Sequence, residues 1–152
     1  MNKSMSLLLV APLFFICCQQ KKTEPVSFIV SDALEKSNLP FSEVVTVGNT
    51  MYLSGQIGSS PDDPMTLVQG GIKNEARQAL ENIKNVLEEN GSSMENVVKC
   101  TVMLTDIKEW ADFNTEYVKY FPHKKPARSA FATNGLAMGA RVEIECIAVI
   151  KK

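Results

Sequence analysis

The sequence predicts an α+β fold in which a mixed β-sheet has two helices packed on one face. Strand-like segments rich in β-branched residues occur in both halves of the 152-residue chain, and two segments repeat apolar residues at helical spacing. The elements follow one another in the order β-β-β-α-β-α-β-β. With 45% hydrophobic and 22% charged residues, the composition fits one globular domain.

The first 22 residues differ from the rest and resemble a bacterial export signal. Lys3 precedes an apolar run over residues 7–16, which is too short to span a bilayer, because a spanning helix needs about 20 apolar residues. The adjacent cysteines that follow resemble a lipoprotein signal, with Cys18 as the predicted lipidated residue and Cys17 as the alternative. Ordinary secretion and an uncleaved anchor stay open, because the residues before the cysteines match such a signal poorly. The sequence therefore predicts an exported protein, periplasmic or anchored in the bacterial envelope, whose domain comprises residues 23–152.

A hairpin is predicted within FSEVVTVGNTMYLSGQIG, residues 41–58. Two apolar-rich arms flank Gly48-Asn49, a pair that tolerates positive φ and is typical of hairpin turns. A Pro-Asp-Asp-Pro loop follows at residues 61–64.

The clearest helix extends from about residue 72 to residue 90. Its apolar residues recur at helical spacing and form a single stripe: Ile72, Ala76, Ala79, Leu80, Ile83, Val86 and Leu87. Gly91 follows the last turn, at the place where a residue of positive φ commonly ends a helix.

A β-branched strand at residues 97–106 leads into a second helix. Asp106 is predicted to be the N-cap of this helix, and Glu109 is expected to reach back to it in a capping box. The helix repeats aromatic residues at intervals of three and four, which we interpret as core packing: Trp110, Phe113, Tyr117 and Phe121. Pro122 is expected to end it.

The last strand predicts two different sheet faces. Alternate residues from Val142 onwards are apolar and should lie under the helices. On the other face Glu143 and Glu145 are followed by Ile147 and Val149, although a solvent-facing sheet would alternate more regularly to polar residues. We therefore expect another protein surface to cover part of this face, which predicts an oligomer.

Composition and motif spacing disfavour several classes of function. A formal net charge of −1 offers no basic surface for nucleic acid. The single histidine, His123, lies beside two lysines, so a histidine-dependent triad lacks a base. Cysteine and histidine do not cluster at metal-binding spacing, and Gly70-Gly71 matches no nucleotide-binding loop. We expect neither a metal nor a cofactor.

Two cysteines fall within the predicted domain. Cys100 and Cys146 both lie among Val and Ile in strand-like sequence, which favours two small buried apolar side chains. A disulfide formed in an export compartment is the alternative.

Arg128 and Glu143 remain as candidates for chemistry. Arg128 follows Pro126 and has small neighbours that leave room for a ligand. Its planar guanidinium matches a carboxylate with two parallel hydrogen bonds. Composition alone favours the alternative, a surface arginine or a salt bridge with a strand glutamate. By itself, Glu143 would be a half-exposed strand residue.

Six segments give the chain a resemblance to a known family. They are YLSGQIG at 52–58, EARQALENIKNVLEENG at 75–91, VVKCTVMLTDI at 97–107, FNTEYVKYF at 113–121, PARSAF at 126–131 and GARVEIECIAV at 139–149. Through them the chain resembles the RidA/YjgF family, also called endoribonuclease L-PSP, from residue 41 to residue 150. The resemblance implies a chorismate-mutase-like fold and a homotrimer with ligand clefts between subunits.

The resemblance also implies an activity, the hydrolysis of reactive 2-imino and enamino acids to 2-keto acids and ammonia. Arg128 would hold the substrate carboxylate, and Glu143 would position or activate water. The implied substrate-binding positions are Phe41, Ser54, Gly55, Asn114 and Ala130.

Two alternative functions accompany this expectation. The first is a non-catalytic protein that binds small carboxylates, since Phe41 stands where the family usually has tyrosine and the chain has an export signal. The second, endoribonuclease activity, is less favoured because the sequence lacks the Lys/Arg clusters that phosphate contacts need. The expected partners are thus a small 2-imino or 2-keto acid and further copies of the chain, with no nucleic acid and with membrane contact only through a lipid anchor.

Overall fold

A computed structural model describes residues 24–61 and 63–151, which form a six-stranded mixed sheet with helices on one face. The strands are β1 (Val26–Ile29), β2 (Val44–Val47), β3 (Thr50–Ile57), β4 (Val97–Leu104), β5 (Ala127–Ala132) and β6 (Val142–Val149). The helices are α1 (Asp32–Lys36), α2 (Ile72–Glu89) and α3 (Trp110–Tyr120). Short 3-10 turns occupy Met94–Asn96, Ile107–Glu109 and Ala137–Gly139. The predicted α+β fold is confirmed.

The strands lie in the order β1-β2-β3-β6-β4-β5. All neighbours are antiparallel except β4 and β5, which are parallel and connected through α3. The predicted hairpin is the β2–β3 pair, in which Val47 lies opposite Thr50 and Gly48 has a φ of 58°. Since β5 is the last strand in this order, Arg128 lies on an edge strand of the sheet.

Helix α2 confirms the predicted apolar stripe, because all seven of its residues are buried. Its end confirms the role of Gly91, whose φ is 77°. The Ser92 N–H donates to the carbonyl of Leu87 at 2.8 Å, and the Gly91 N–H donates to that of Glu88 at 3.3 Å. This pair of hydrogen bonds is a Schellman motif, which satisfies carbonyls that the helix itself leaves unpaired.

The two faces of the sheet differ in burial, as the alternating sequence of β6 predicts. Alternate β6 residues from Val142 to Ala148 are buried beneath the helices, whereas Glu143 and Ile147 on the other face are only partly buried. Tyr52 lies opposite Ile147 on this second face and is 46% exposed, and Phe131 is 47% exposed. We call this second side of the sheet the outer face; it presents exposed aromatic side chains.

Helix α1 is missing from the sequence prediction. It has only five residues, which is too short for an apolar repeat to be recognised. Asn38, with a φ of 50°, follows shortly after its end.

The predicted capping box is wrong. Asp106 does act as a cap, since its carboxylate accepts the Lys108 N–H at 2.9 Å, but it caps a 3-10 turn that precedes α3. The carboxylate of Glu109 instead accepts the Nε–H of Arg141 at 3.0 Å. An ion pair with a residue remote in sequence therefore replaces the local contact.

The aromatic stripe of α3 is buried only in part. Phe113, Tyr117 and Phe121 are buried in the core as expected. Trp110 is 37% exposed, so its assignment to the core is wrong. It contacts Arg128 instead, as described below.

The predicted export segment lies outside the described residues, as do Cys17 and Cys18, so lipidation stays a prediction. Within the part of the chain that the structure describes, no helix combines the length and the apolar character needed to cross a membrane.

Candidate active site

Arg128 is held in place by helix α3. It pairs in register with buried Cys100 of β4 and therefore points to the helix-covered side of the sheet. Its Nη1 donates to Oδ1 of Asn114 at 2.8 Å. The guanidinium carbon lies 4.5 Å from the ring centroid of Tyr117 and 5.2 Å from that of Trp110. Both distances allow a cation–π contact, so the side chain is fixed at its tip.

The charge of Arg128 has no carboxylate partner among the ion pairs of residues 24–61 and 63–151. Within these described residues, Arg128 therefore does not form the internal salt bridge that was the alternative. Beside the guanidinium lies an open hollow of about 410 Å³. Its other lining residues are Asn114, Tyr117, Val118, Phe121, Lys125 and Pro126. A mostly apolar hollow with one fixed guanidinium suits a small organic anion.

Glu143 lies on the outer face of the sheet, between buried Val142 and Ile144 of β6. Its carboxylate lies directly over the backbone of Gly55, because a Cβ atom added to Gly55 would come within 1.9 Å of Oε1. Burial raises the pKa of Glu143, and the negative charge of Glu145 raises it further. A carboxylate with a raised pKa is a stronger base than an ordinary carboxylate, which suits it to accepting a proton from water.

Ser54 and Gly55 lie at an irregularity of β3. The β3–β6 pairing shifts between Leu53 and Gln56, so these two residues interrupt the regular ladder. The hydroxyl of Ser54 donates to the carbonyl of Ser42 at 2.7 Å. This bond ties the segment that contains Phe41, which is 46% exposed, to the strand that contains Gly55.

Ala130 follows Arg128 on the same side of β5. It lies opposite Val102 of β4, and its partly buried side chain packs against the core. A larger residue at this position would extend toward the core rather than to the outer face.

The structure therefore separates the predicted site residues into two groups. Arg128, Asn114 and Ala130 belong to the helix-covered side, and Gly55 and Glu143 to the outer face. Across the sheet, Arg128 is in register with Cys100 and Cys146, whereas Glu143 is three residues along β6 and faces the opposite way. In one chain the guanidinium and the carboxylate do not converge on a common ligand.

Trp110 and Tyr117 are the residues that sequence reasoning assigned to the core alone. Their spacing of seven residues places them on one side of α3, but that spacing is equally typical of core packing. The signal that identifies them as contacts of Arg128 is spatial, because β5 and α3 are brought together by the fold. The described ranges hold no group of three or more His, Cys, Asp or Glu residues arranged to bind a metal ion.

Comparisons with known proteins agree with this fold. The family model described as endoribonuclease L-PSP matches residues 31–150. A protein of Bos taurus named 2-iminobutanoate/2-iminopropanoate deaminase is 46% identical over 110 residues, which cover 72% of this chain and 80% of the bovine protein. The crystal structure of YEO7_yeast is 39% identical with a TM-score of 0.77, covering 84% of this chain and all of that one. Escherichia coli TdcF, solved with bound serine, is 30% identical with a TM-score of 0.70, covering 74% of this chain and 90% of that one.

Proposed function

Because the chain belongs to the endoribonuclease L-PSP family, also called RidA/YjgF, we propose that it is a deaminase that hydrolyses 2-imino acids to 2-keto acids and ammonia. The observation that supports this most is the guanidinium of Arg128, which Asn114 holds beside an open hollow and which has no carboxylate partner in the described structure. Relatives named 2-iminobutanoate/2-iminopropanoate deaminase match most of the domain at 41–46% identity.

We propose that the site is completed by a neighbouring copy in a homotrimer. The outer face presents Glu143 together with exposed Tyr52 and Phe131, and Arg128 lies on the edge strand β5. If the outer face of one copy lies against the β5 edge of the next, a carboxylate and a guanidinium come to opposite sides of one cleft. Burial of the exposed aromatic side chains would supply apolar contact area for the interface. In a trimer, such head-to-tail contacts close into a ring, which contains three copies of the cleft.

The reaction needs no covalent nucleophile, because the carbon of a C=N bond is already electrophilic. Arg128 holds the substrate carboxylate through two parallel hydrogen bonds and so fixes the imine carbon. Glu143 of the neighbouring copy accepts a proton from water as the oxygen attacks that carbon, while the imine nitrogen takes up a proton. With the nitrogen proton of the first step taken from solvent, protonated Glu143 gives its proton to the amino group of the tetrahedral amino alcohol. The C–N bond then breaks, ammonia leaves, and the hydroxyl proton is released to solvent. The 2-keto acid remains, and the carboxylate is regenerated.

Turnover of 2-iminobutyrate tests the proposal. The imine is generated in the assay by an amino-acid oxidase, and its disappearance is measured with and without the protein. We expect the protein to accelerate imine hydrolysis. We also expect this rate to decrease toward acid pH, with an apparent pKa above the ordinary carboxyl value of 4.5. The sign follows because a raised pKa keeps Glu143 protonated to higher pH, and the protonated acid cannot accept a proton from water. Binding of 2-ketobutyrate without imine turnover would contradict the deaminase proposal and support the carboxylate-binding alternative.

The control for the pH limb is Glu145→Gln. This change removes the negative charge that helps to raise the pKa of Glu143, so the acid limb should move to lower pH. An unmoved limb in this variant would indicate that another group titrates.

Gly55→Ala is expected to reduce turnover while leaving the fold intact. The new Cβ would lie 1.9 Å from Oε1 of Glu143 and 2.8 Å from its carboxyl carbon, so the flexible carboxylate must move away. The φ of Gly55 lies outside the left-handed region, so alanine causes no backbone strain there. Loss of a positioned general base lowers kcat by about 10²–10⁴-fold. Turnover and thermal unfolding of the purified variant measure the two effects.

A double-mutant cycle with Glu143→Ala provides the control. If Gly55→Ala acts by displacing the carboxylate, it should add little once that carboxylate is gone. Full additivity of the two losses would contradict this explanation.

We also propose that the protein is exported and anchored through a lipid on Cys18. Its support is the sequence of the first 22 residues alone, which lie outside the described structure. The chemistry above does not depend on it.

A further inference from the structure

Two buried cysteines lie face to face beneath the candidate site. Cys100 of β4 and Cys146 of β6 are directly opposite each other in the antiparallel ladder. Their sulfur atoms are 3.1 Å apart, both thiols are free, and the residues are 0% and 2% exposed. Because a disulfide bond is about 2.05 Å long, the sulfurs need to approach by about 1 Å to form one. The sequence interpretation as small buried side chains is confirmed, but the contact between the two thiols goes beyond it.

The surroundings of the two thiols are unequal. The hydrogen bond from Cys146 lowers the pKa of Cys100 although burial opposes it, and the positive charges of Arg128 and Lys99 act in the same direction. The same hydrogen bond, together with burial, raises the pKa of Cys146. Of the two thiols, Cys100 is therefore the one that ionises more readily, and Cys146 is the one that keeps its proton. This asymmetry is what an attacking thiol and a resolving thiol require.

Tyr117 supplies a third polar group at this place. Its hydroxyl is buried with no hydrogen-bond partner of normal geometry in the described residues, and it lies near the thiol of Cys100. A buried hydroxyl without a partner is costly, so such a group commonly has a role in some state of the protein. Here it is placed to donate to a thiolate, or to the oxygen of an oxidised sulfur.

We propose that Cys100 and Cys146 are a redox-active dithiol that a small hydroperoxide converts to a disulfide across β4 and β6. The Cys100 thiolate attacks the peroxide oxygen, the O–O bond breaks, and water leaves once the departing oxygen has taken a proton, which gives a sulfenic acid at Cys100. The Cys146 sulfur then attacks the Cys100 sulfur, the S–O bond breaks, and the hydroxyl leaves as water with the Cys146 proton. In sum, two thiols and one hydrogen peroxide yield one disulfide and two waters.

The burial of Cys100 limits which oxidants can reach its sulfur. A protein disulfide, or a tripeptide disulfide such as oxidised glutathione, must place its own sulfur against Cys100, which is fully buried. Hydrogen peroxide has only two heavy atoms and can diffuse into the packed interior during small fluctuations. The dithiol uses neither Arg128 nor Glu143 as a reactant, so the inference stands or fails independently of the deaminase proposal.

Peptide mapping of the folded full-length protein tests this inference. After treatment with hydrogen peroxide and removal of the excess, the protein is unfolded, alkylated and digested with trypsin without reductant. We expect a linked pair of peptides, residues 100–108 and 142–151, two hydrogens lighter than their sum and separated by dithiothreitol. These peptides exclude Cys17 and Cys18 from the signal. Oxidation should also raise the Tm by roughly 5 °C or more, because the disulfide restricts the unfolded chain.

Single-cysteine variants give the matched controls. In Cys146→Ala, oxidation should stop at a Cys100 sulfenic acid, which dimedone present in the unfolding buffer traps, with no rise in Tm of the folded protein. In Cys100→Ala, Cys146 should react about tenfold more slowly than Cys100 does in Cys146→Ala. Burial and Glu145 still raise the pKa of Cys146 when Cys100 is absent, whereas Arg128 and Lys99 still lower that of Cys100 when Cys146 is absent. The inference is overturned if both wild-type thiols remain alkylatable after peroxide treatment of the folded protein. It is also overturned if they oxidise separately without the linked pair.

Discussion

Arg128→Ala is expected to lower kcat/KM for 2-iminobutyrate by roughly 10²–10⁴-fold. The substitution removes two hydrogen bonds to the substrate carboxylate, each worth about 1.5–3 kcal/mol because the groups are charged. In the described structure no second guanidinium lines the hollow to replace it. Most of the loss should appear in KM if the carboxylate is held equally in the ground and transition states, and in kcat if it fixes the angle of attack. Steady-state kinetics at saturating and limiting imine concentrations separate these two cases.

Two controls make the Arg128 result specific. Arg128→Lys keeps the charge but loses the planar pair of donors, so its activity should fall between wild type and Arg128→Ala. Lys125→Ala changes an exposed cation that lines the same hollow, and kcat/KM should stay within about threefold of wild type, since an exposed charge contributes little. Wild-type kcat/KM in a folded Arg128→Ala protein would show that this guanidinium does not bind the substrate.

The elements that the sequence predicted well are those in which one pattern continues over many residues. Helix α2 has seven buried apolar residues at regular spacing and a glycine of positive φ after its end. Strand β6 alternates over eight residues. Helix α1, with five residues, offers no such repeat. The capping box failed for another reason: a motif of four residues cannot show that Glu109 will meet Arg141, 32 residues away.

For the candidate site too, local motifs identified the residues but could not show how the fold arranges them. The motifs around Arg128 and Glu143 identified both residues through the family resemblance. That the two point to opposite sides of the sheet depends on which strands are neighbours and in what register, and this could not be read from either segment alone. The cation–π contacts of Trp110 and Tyr117 and the sulfur contact between Cys100 and Cys146 likewise depend on the packing of β4, β5, β6 and α3.

The opposite orientation of Arg128 and Glu143 leads to the second large expected effect, which is rescue of activity by mixing two inactive chains. In the ring that we propose, each cleft takes Arg128 from one copy and Glu143 from its neighbour. Arg128→Ala and Glu143→Gln chains, coexpressed in equal amounts with different tags, should therefore form some clefts with both groups intact. Random assembly gives each cleft about one chance in four of this combination, so about a quarter of wild-type turnover should return. Turnover of the total coexpressed protein, compared with each parent, measures the rescue, and purification through both tags, which removes the homotrimers, should raise the value to about a third.

A single chain that supplied both groups to its own site would behave differently. Every cleft in the mixture would then lack one group, and turnover would stay at the level of the parents. Coexpression of wild type with the double variant Arg128→Ala/Glu143→Gln separates the two arrangements again. Clefts shared between copies then retain about a quarter of wild-type turnover, because both contributing chains must be wild type, whereas clefts within one chain retain about half. No rescue in the first mixture together with half the activity in the second would show that the site is not shared between copies.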